Sequence, residues 1–280
     1  MSLWVRKFFK DWSAVAGLVI VLFAVLVGLA DKQLAPYPDD AFESHILERL
    51  KPPDAAHPFG TDRLGRDVLS RVILGARSAL GTALVVVAAA MLIGVPLGLL
   101  AGYYGGWLGE IIMRVTDVFL AVPQLVLAIA LAQLLQPSTE TVMISLSLTY
   151  WPFFARTAYA ETRRIKSSVF VEALHALGAG GARMMFLHVL PNSFSPVIIR
   201  ATIGMGFIIL TAAVLGFLGI GAPPPQPEWG EAIAESRDHL PHAWWLALYP
   251  GTAIFAVVFG FNLLGDGLRD ILDPRLRRSR

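Results

Sequence analysis

Long apolar runs recur six times along the chain, at residues 13–30, 79–101, 112–135, 141–160, 197–219 and 243–264. Each approaches the roughly 20 residues that a helix needs to cross a hydrocarbon core. The pattern therefore predicts an all-α, polytopic membrane protein with six transmembrane helices. The fourth run is the most diluted, because Ser145, Ser147, Thr149 and Pro152 interrupt it. A membrane β-barrel would alternate apolar and polar residues over segments of about ten residues, and no such segments are visible. Tyr150 with Trp151, Trp107, Trp229 and Trp244 with Trp245 are read as lying near run ends, where amphipathic rings favour the headgroup layer.

The first run follows Arg6, Lys7 and Lys10 and ends on Gly28-Leu29-Ala30, which resembles a signal-peptide cleavage site. Its apolar stretch is longer than the roughly 7–15 residues of a signal h-region, so it reads as an anchor helix. Composition agrees with a membrane protein. Of 280 residues, 55% are hydrophobic and 16% charged, whereas a soluble domain carries about 25% charged residues. The absence of cysteine excludes disulfides and thiolate metal or redox sites.

The net charge is only +2, so its placement is more informative than its size. Lys and Arg concentrate in short cytoplasmic loops. With the N-terminus inside, the inside segments hold Arg6, Lys7 and Lys10, then Arg114, then Arg156, Arg163, Arg164, Lys166 and Arg183, and finally Arg269, Arg275, Arg277, Arg278 and Arg280. The short outside segments hold only Arg237, amid Glu228, Glu231, Glu235 and Asp238. Segment 31–78 carries seven basic and eight acidic residues, and long segments cross largely regardless of charge. The expected topology is N-in/C-in. It comprises a cytoplasmic tail 1–12, a first helix 13–30, an external segment 31–78, a core 79–264 that includes a cytoplasmic loop 161–196, and a cytoplasmic tail 265–280.

That loop contains EALHALGAGGARMMFLHVLPN, residues 172–192. Ile165, Val169, Ala173 and Leu177 recur at helical spacing, as do Phe170, Leu174 and Leu177. Gly178 should stop that helix, since glycine takes the left-handed conformation cheaply. Ala182–Leu190 then reads as a second short helix, ended by Pro191. The product is a helical hairpin at the inner membrane face with a tip of small residues. Its shape serves either as a plain connector or as a docking knob.

Glu172-Ala173, then Gly178, then Leu190-Pro191 resemble, at matching spacing, the EAA…G…LP loop of ABC importer permeases. Leu174 stands where that motif has its third alanine. His188 stands where many members have isoleucine, and His-x-Leu-Pro-Asn is itself similar to the peptide/nickel subfamily. The resemblance implies that the loop carries a coupling helix seated in a groove of an ATPase subunit. A stiff element of this kind can transmit rigid-body motion into the membrane.

Two further stretches carry the same resemblance. HPFGTDRLGRDVLSRVILGARSALG, residues 57–81, has Gly60 and Gly65 for tight turns. Asp62, Arg66 and Asp67 are placed to pair locally there. Asp67 and Arg71, with Val68, Val72 and Ile73, fit an amphipathic helix leading into the second run. A structural cap on a helix end accounts for this pattern, yet Gly60-Thr61-Asp62, then Gly65-Arg66-Asp67, also looks like the subfamily's external motif. That motif is expected near a substrate-binding protein and the translocation mouth. PEWG at 227–230 and FNLLGDGLRDILDPRLR at 261–277 are similar as well. In the latter, Asn262, Asp266, Arg269 and Asp270, with Asp273, form a cluster at the expected inner face, where local ion pairs would explain them.

The chain contains no Gly-x-x-x-x-Gly-Lys-Ser/Thr, His-Glu-x-x-His or Gly-x-Ser-x-Gly, so no ATP site or hydrolase motif is expected of it. A secondary transporter or channel is the rival reading. Such proteins place ionisable groups at mid-membrane, whereas the span interiors here read as free of them, with Arg114 and Asp117 paired near the cytoplasmic face. A pathway would then be lined by backbone, small residues and Ser145, Ser147, Thr149 and Thr211. Glu235, Asp238, His239 and His242 would share one face if helical, which makes His239 and His242 weak metal candidates, although Pro241 interrupts the spacing. Gly94 and Gly98 form a Gly-x-x-x-Gly pair, and with Gly204 and Gly206 they mark close helix contacts. Those contacts lie either within the chain or with a partner.

The resemblance, which spans 1–277, implies a type I importer fold and a permease subunit for di- or oligopeptides in a bacterial inner membrane. Nickel, glutathione or opine would be alternative cargoes. It also implies a second, different permease, two ATPase subunits that hold ATP and magnesium, and an extracytoplasmic binding protein. The chain itself is expected to hold no cofactor, to sit in membrane lipid and to meet no nucleic acid.

Overall fold

A computed structural model describes residues 8–39 and 41–272. Arg6, Lys7, Asp273, Arg275, Arg277, Arg278 and Arg280, and with them most of the two expected tails, lie outside the described residues. Helix α1 spans Trp12–Leu34, and the Asp11 side chain accepts from the backbone N–H groups of Ser13 (2.9 Å) and Ala14 (3.2 Å) at its start. Helices α2 (Val68–Tyr104), α3 (Gly106–Ala121), α4 (Gln124–Ala132) and α5 (Thr139–Lys166) follow. Helix α6 is Val169–Ala176, α7 Phe194–Phe217, α8 Trp229–Ser236 and α9 Trp245–Leu272. Among the described residues there is no strand, only one isolated antiparallel bridge between Thr61 and Asp67.

All six apolar runs fall on helices. Four of these, α1, α2, α7 and α9, are long and apolar enough to cross a membrane, and α3 with α4 makes a fifth if counted as one span. The third run is not the single straight helix expected: α3 and α4 meet at 87°. Pro123 is the cause, because it disfavours helical geometry at the residue before it, and Val122 is extended at φ −95° and ψ 133°. Pro152 does not break α5, which runs through it for 28 residues. Tyr150 and Trp151, expected at a headgroup layer, are instead buried in the middle of α5.

Small residues set the packing. Gly94, Gly98 and Gly102 recur every fourth residue along α2 and face α5. A methyl at Gly94 would strike the Trp151 carbonyl, one at Gly98 the Ala155 carbonyl, and one at Gly102 would stand 2.7 Å from Thr162 Cβ. The Gly-x-x-x-Gly contact therefore lies within this chain. Gly204 meets Tyr150, and Gly206 meets Val258 and Phe261 on α9. Helix α1 lies against α9 in the same way, with Gly260 against Ile20 and Gly267 against Ala14.

Candidate functional site

Helix α5 ends where Lys166 donates to the Tyr103 carbonyl at 2.5 Å and stacks over the Tyr103 ring at 5.3 Å. The helical spacing that begins at Ile165 is broken by Ser167 and Ser168, so α6 starts only at Val169. Gly178 then takes φ +81° with open space around it, as a left-handed helix stop requires. Residues 181–192 are helical, with a wide π-type turn over Met184–Val189. Pro191 does not end this stretch as expected. Leu190 N–H reaches back to the Met185 carbonyl, five residues away; the next residue, Pro191, has no N–H, so the widened turn loses no donor there.

The underside of this hairpin is fixed. Val171, Met184, Met185 and Val189 are buried, and Gly181 lies 3.4 Å, from a notional Cβ, from the Tyr103 ring. The other side is open. Glu172, Ala173 and Gly178 are exposed and Leu174 partly so; around them Val169 is 80% and Leu177 83% exposed, with Phe186 and Leu187 open as well. Glu172 makes no ion pair among the described residues. His188 is half-buried, and its carbonyl accepts from Asn192 Nδ2 at 2.6 Å. The result is a knob seated on a buried underside with an apolar, uncovered tip, the kind of patch that marks an interaction surface.

The 57–71 stretch forms a buried network at the opposite end of α2. Gly60 and Gly65 have φ +72° and +80° and make the expected turns. Asp62 accepts from Arg66 Nε at 2.6 Å and from the backbone N–H groups of Leu64 (2.8 Å) and Arg66 (2.9 Å). Asp67 caps α2 through Ser70 N–H at 2.7 Å and lies 2.9 Å from His57 Nδ1. Thr61 is buried, its hydroxyl accepting from Lys51 N–H and its carbonyl from Trp245 Nε1. Arg66, fully buried, also reaches Glu235 at 3.1 Å; Arg63 meets Glu235 at 3.0 Å and Arg71 meets Glu231 at 2.9 Å. Both the capping role and the local Asp62–Arg66 pair are present. The partners on α8, some 160–172 residues away in sequence, are additional.

Electrostatics follow from this crowding. Burial pushes the Glu235 carboxyl upward, but Arg71, a hydrogen bond with Glu231, Arg66 and Arg63 outweigh it and hold Glu235 below its usual value, while burial pushes Glu231 up to about 8. Burial lowers His57, yet its contacts with Asp67 and Glu48 overcome that and raise it. Because α8 stops at Ser236, Glu235, Asp238, His239 and His242 share no helical face, and Glu235 already serves two arginines. Among the described residues no three His, Cys, Asp or Glu side chains gather as metal ligands would.

Asn262, Asp266, Arg269 and Asp270 form one exposed stripe on α9. The ion pairs expected there do not form among the described residues. The span interiors are not free of charge, as the sequence suggested. Arg200 stands two turns inside α7, and Asp117 pairs with Arg156 of α5 rather than with Arg114, which meets Glu110 at 3.4 Å. Helical periodicity says which residues line one helix, not which helix lies opposite.

Residues 94–278 match the family model of the inner membrane component of binding-protein-dependent transport systems. The chain belongs to this family. Residues 2–53 match a second model, the N-terminal transmembrane domain of oligopeptide transport permease C. The permease is 41% identical to the dipeptide transport permease DppC of Alkalihalophilus pseudofirmus, over 96% of this chain and 88% of that one. It is 41% identical to the probable D,D-dipeptide permease DdpC of Escherichia coli, over 93% and 87%. To the glutathione permease GsiD of Pectobacterium atrosepticum it is 40% identical, over 97% and 90%. In three dimensions it superposes on the membrane subunit of the MetNI methionine ABC transporter, in an inward-facing form, with a TM-score of 0.61 and 18% identity over 72% of this chain and 97% of that one. That likeness establishes a common fold. The permease is thus a multi-pass inner membrane subunit of an ABC importer, in which ATP hydrolysis belongs to a separate subunit.

Proposed function

We propose that this permease moves short peptides inward, and that the knob over residues 169–191 is where an ATPase subunit docks. The observation that carries the docking assignment is the knob's division into a buried underside and an open apolar tip, with Glu172, Ala173 and Gly178 at its surface. Docking there puts the tip in the cytoplasm, and with six crossings it would put both termini inside, in keeping with the basic residues expected on that side. A second, different permease would complete the pathway, two ATPase subunits would bind ATP and magnesium below, and a binding protein would deliver cargo to the outer face near residues 57–71. Closing the ATPases on ATP would draw the knobs together and rock the spans. Peptides are favoured as cargo because relatives at about equal similarity carry dipeptide names. Glutathione, itself a peptide with free carboxylates, fits the same reading.

Co-purification from cells that co-express the neighbouring transport genes tests the docking assignment. Glu172→Lys with Gly178→Arg should release the ATPase subunits and retain the second permease. ATPase subunits that stay bound, with normal uptake of a labelled dipeptide, would leave the knob a mere connector.

A further inference from the structure

A charge inside an apolar span requires something polar to face, because side chains of this kind turn toward a bundle interior or a water-filled cavity and not toward lipid. The Arg200 guanidinium lies 4.7 Å from the centre of the Phe153 ring and 5.8 Å from that of Tyr150. Its Nε is buried with no hydrogen-bond partner, and no carboxylate pairs with it among the described residues. The stack on aromatic rings holds the plane of the guanidinium without using its donors.

Phe153, on whose ring Arg200 lies, belongs to a strip along α5 that is otherwise polar. Ser145, Thr149, Phe153 and Arg156 follow one another on α5 at spacings of four, four and three, which places them on one face. Gln124, brought in by the α3–α4 bend, stands 3.5 Å from the Thr149 hydroxyl. The Gln124 Oε1 and Ser145 Oγ atoms are buried without partners. Farther along, Arg156 and Asp117 form their ion pair, 43% and 45% exposed. Asp117 neutralises Arg156, whereas the positive charge of Arg200 has no carboxylate partner among the described residues.

We propose that the Phe153–Arg156 end of this strip lines the inner half of the translocation pathway and that Arg200 receives the substrate's carboxylate as it passes. The inference rests on the peptide-import reading above. A guanidinium edge takes a carboxylate bidentately, and the C-terminal carboxylate is the feature that peptides share whatever their side chains. Asp117 is already occupied by Arg156, so nothing comparable awaits the peptide's amino group on this strip. A lipid phosphate is the poorer occupant, since the guanidinium is folded onto rings at the middle of α5 instead of extending along α7 to its inner end. One unsupported cation also suits a pathway, which must release what it binds.

The test uses the whole transporter in proteoliposomes, with saturating loaded binding protein. The substrates are a labelled dipeptide and its C-terminal amide, both first checked for capture by the binding protein. Wild type should import the free acid about tenfold faster than the amide, the order expected of one charge-assisted hydrogen bond. Arg200→Gln should bring the ratio to about one by slowing the acid alone, and Arg200→Lys, which keeps the charge without the fork, should fall between. A glutamine variant that slows both substrates alike, or keeps the wild-type ratio, overturns the assignment. So does an effect that appears only in vesicles containing anionic lipid, which marks a headgroup contact, or loss of a co-purifying subunit from both variants, which marks a protein contact. If the wild type imports neither peptide, the peptide reading itself fails, a result separate from import with an unchanged acid-to-amide ratio.

Discussion

Glu228 owes its surroundings to two residues that have no side chain. A methyl at either Gly216 or Gly221 would strike its carboxyl group. The carboxyl accepts from Ala222 N–H, and its Oε2 has no partner. Burial therefore raises it to about 7. In the unfolded chain the same group ionises near its ordinary value of 4.5. Between those two values the folded state holds a proton that the unfolded state has lost, so stability falls as pH rises through this window and stays low above it. Glu228→Gln removes the titration while keeping the shape. We expect this variant to melt a few degrees above wild type at pH 8, by on the order of 1–2 kcal/mol after discounting for partial exposure. At pH 5 the two should coincide. Intrinsic tryptophan fluorescence on heating reads both, and a gap equal at the two pH values would show that the proton on Glu228 is not the cause.

The contact of α2 with α5 depends on backbone approach, and one helix supplies its own control. Gly98 lies against the Ala155 carbonyl, whereas Gly81 has no atom within 4 Å of where a Cβ would stand. Gly98→Leu should cost at least the roughly 1–3 kcal/mol of an overpacked core and lower the melting temperature by many degrees. Gly81→Leu, on the same helix, should leave it within error. Equal melting of both variants would mean that helix propensity and not packing set the outcome. The Gly-x-x-x-Gly pair was legible in the sequence because small residues at helical spacing signal close approach; its partner was not, since nothing in residues 94–98 names α5. The same division runs through the rest of the chain. Gly178 and Gly60 were readable as turns, and Asp67 as a cap, because those roles are local. The α3–α4 bend was missed although Pro123 signals it, because hydropathy alone counts 112–135 as one run. Arg200 was missed because the surrounding apolar residues outweigh one charge in any window average.

The network around Arg66 joins two segments that the sequence keeps far apart. Arg66 pairs with Asp62 and Glu235, Arg63 pairs with Glu235 from a half-exposed position, and Arg71 bonds Glu231, whose carboxyl burial pushes up to about 8, so α8 is held to the start of α2 by ion pairs and one further hydrogen bond. A buried ion pair adds little over a well-packed apolar substitute, but removal of one partner strands the other and costs about 3–5 kcal/mol. Arg66 is the member to remove, since it is fully buried and touches both Asp62 and Glu235. Arg66→Met should loosen residues 41–67 as a unit and speed proteolysis there in detergent. Adding Asp62→Leu and Glu235→Gln should restore much of the resistance, because the stranded carboxylates are then gone. The knob lies at the other end of α2 and shares no contact with this network, so ATPase subunits should co-purify with Arg66→Met as with wild type. Loss of both proteolytic resistance and ATPase binding would instead show that α2 transmits disorder along its length, and that the two ends of the permease fold as one cooperative body. Recovery of neither property in the triple variant would place the role of Arg66 in packing and not in charge.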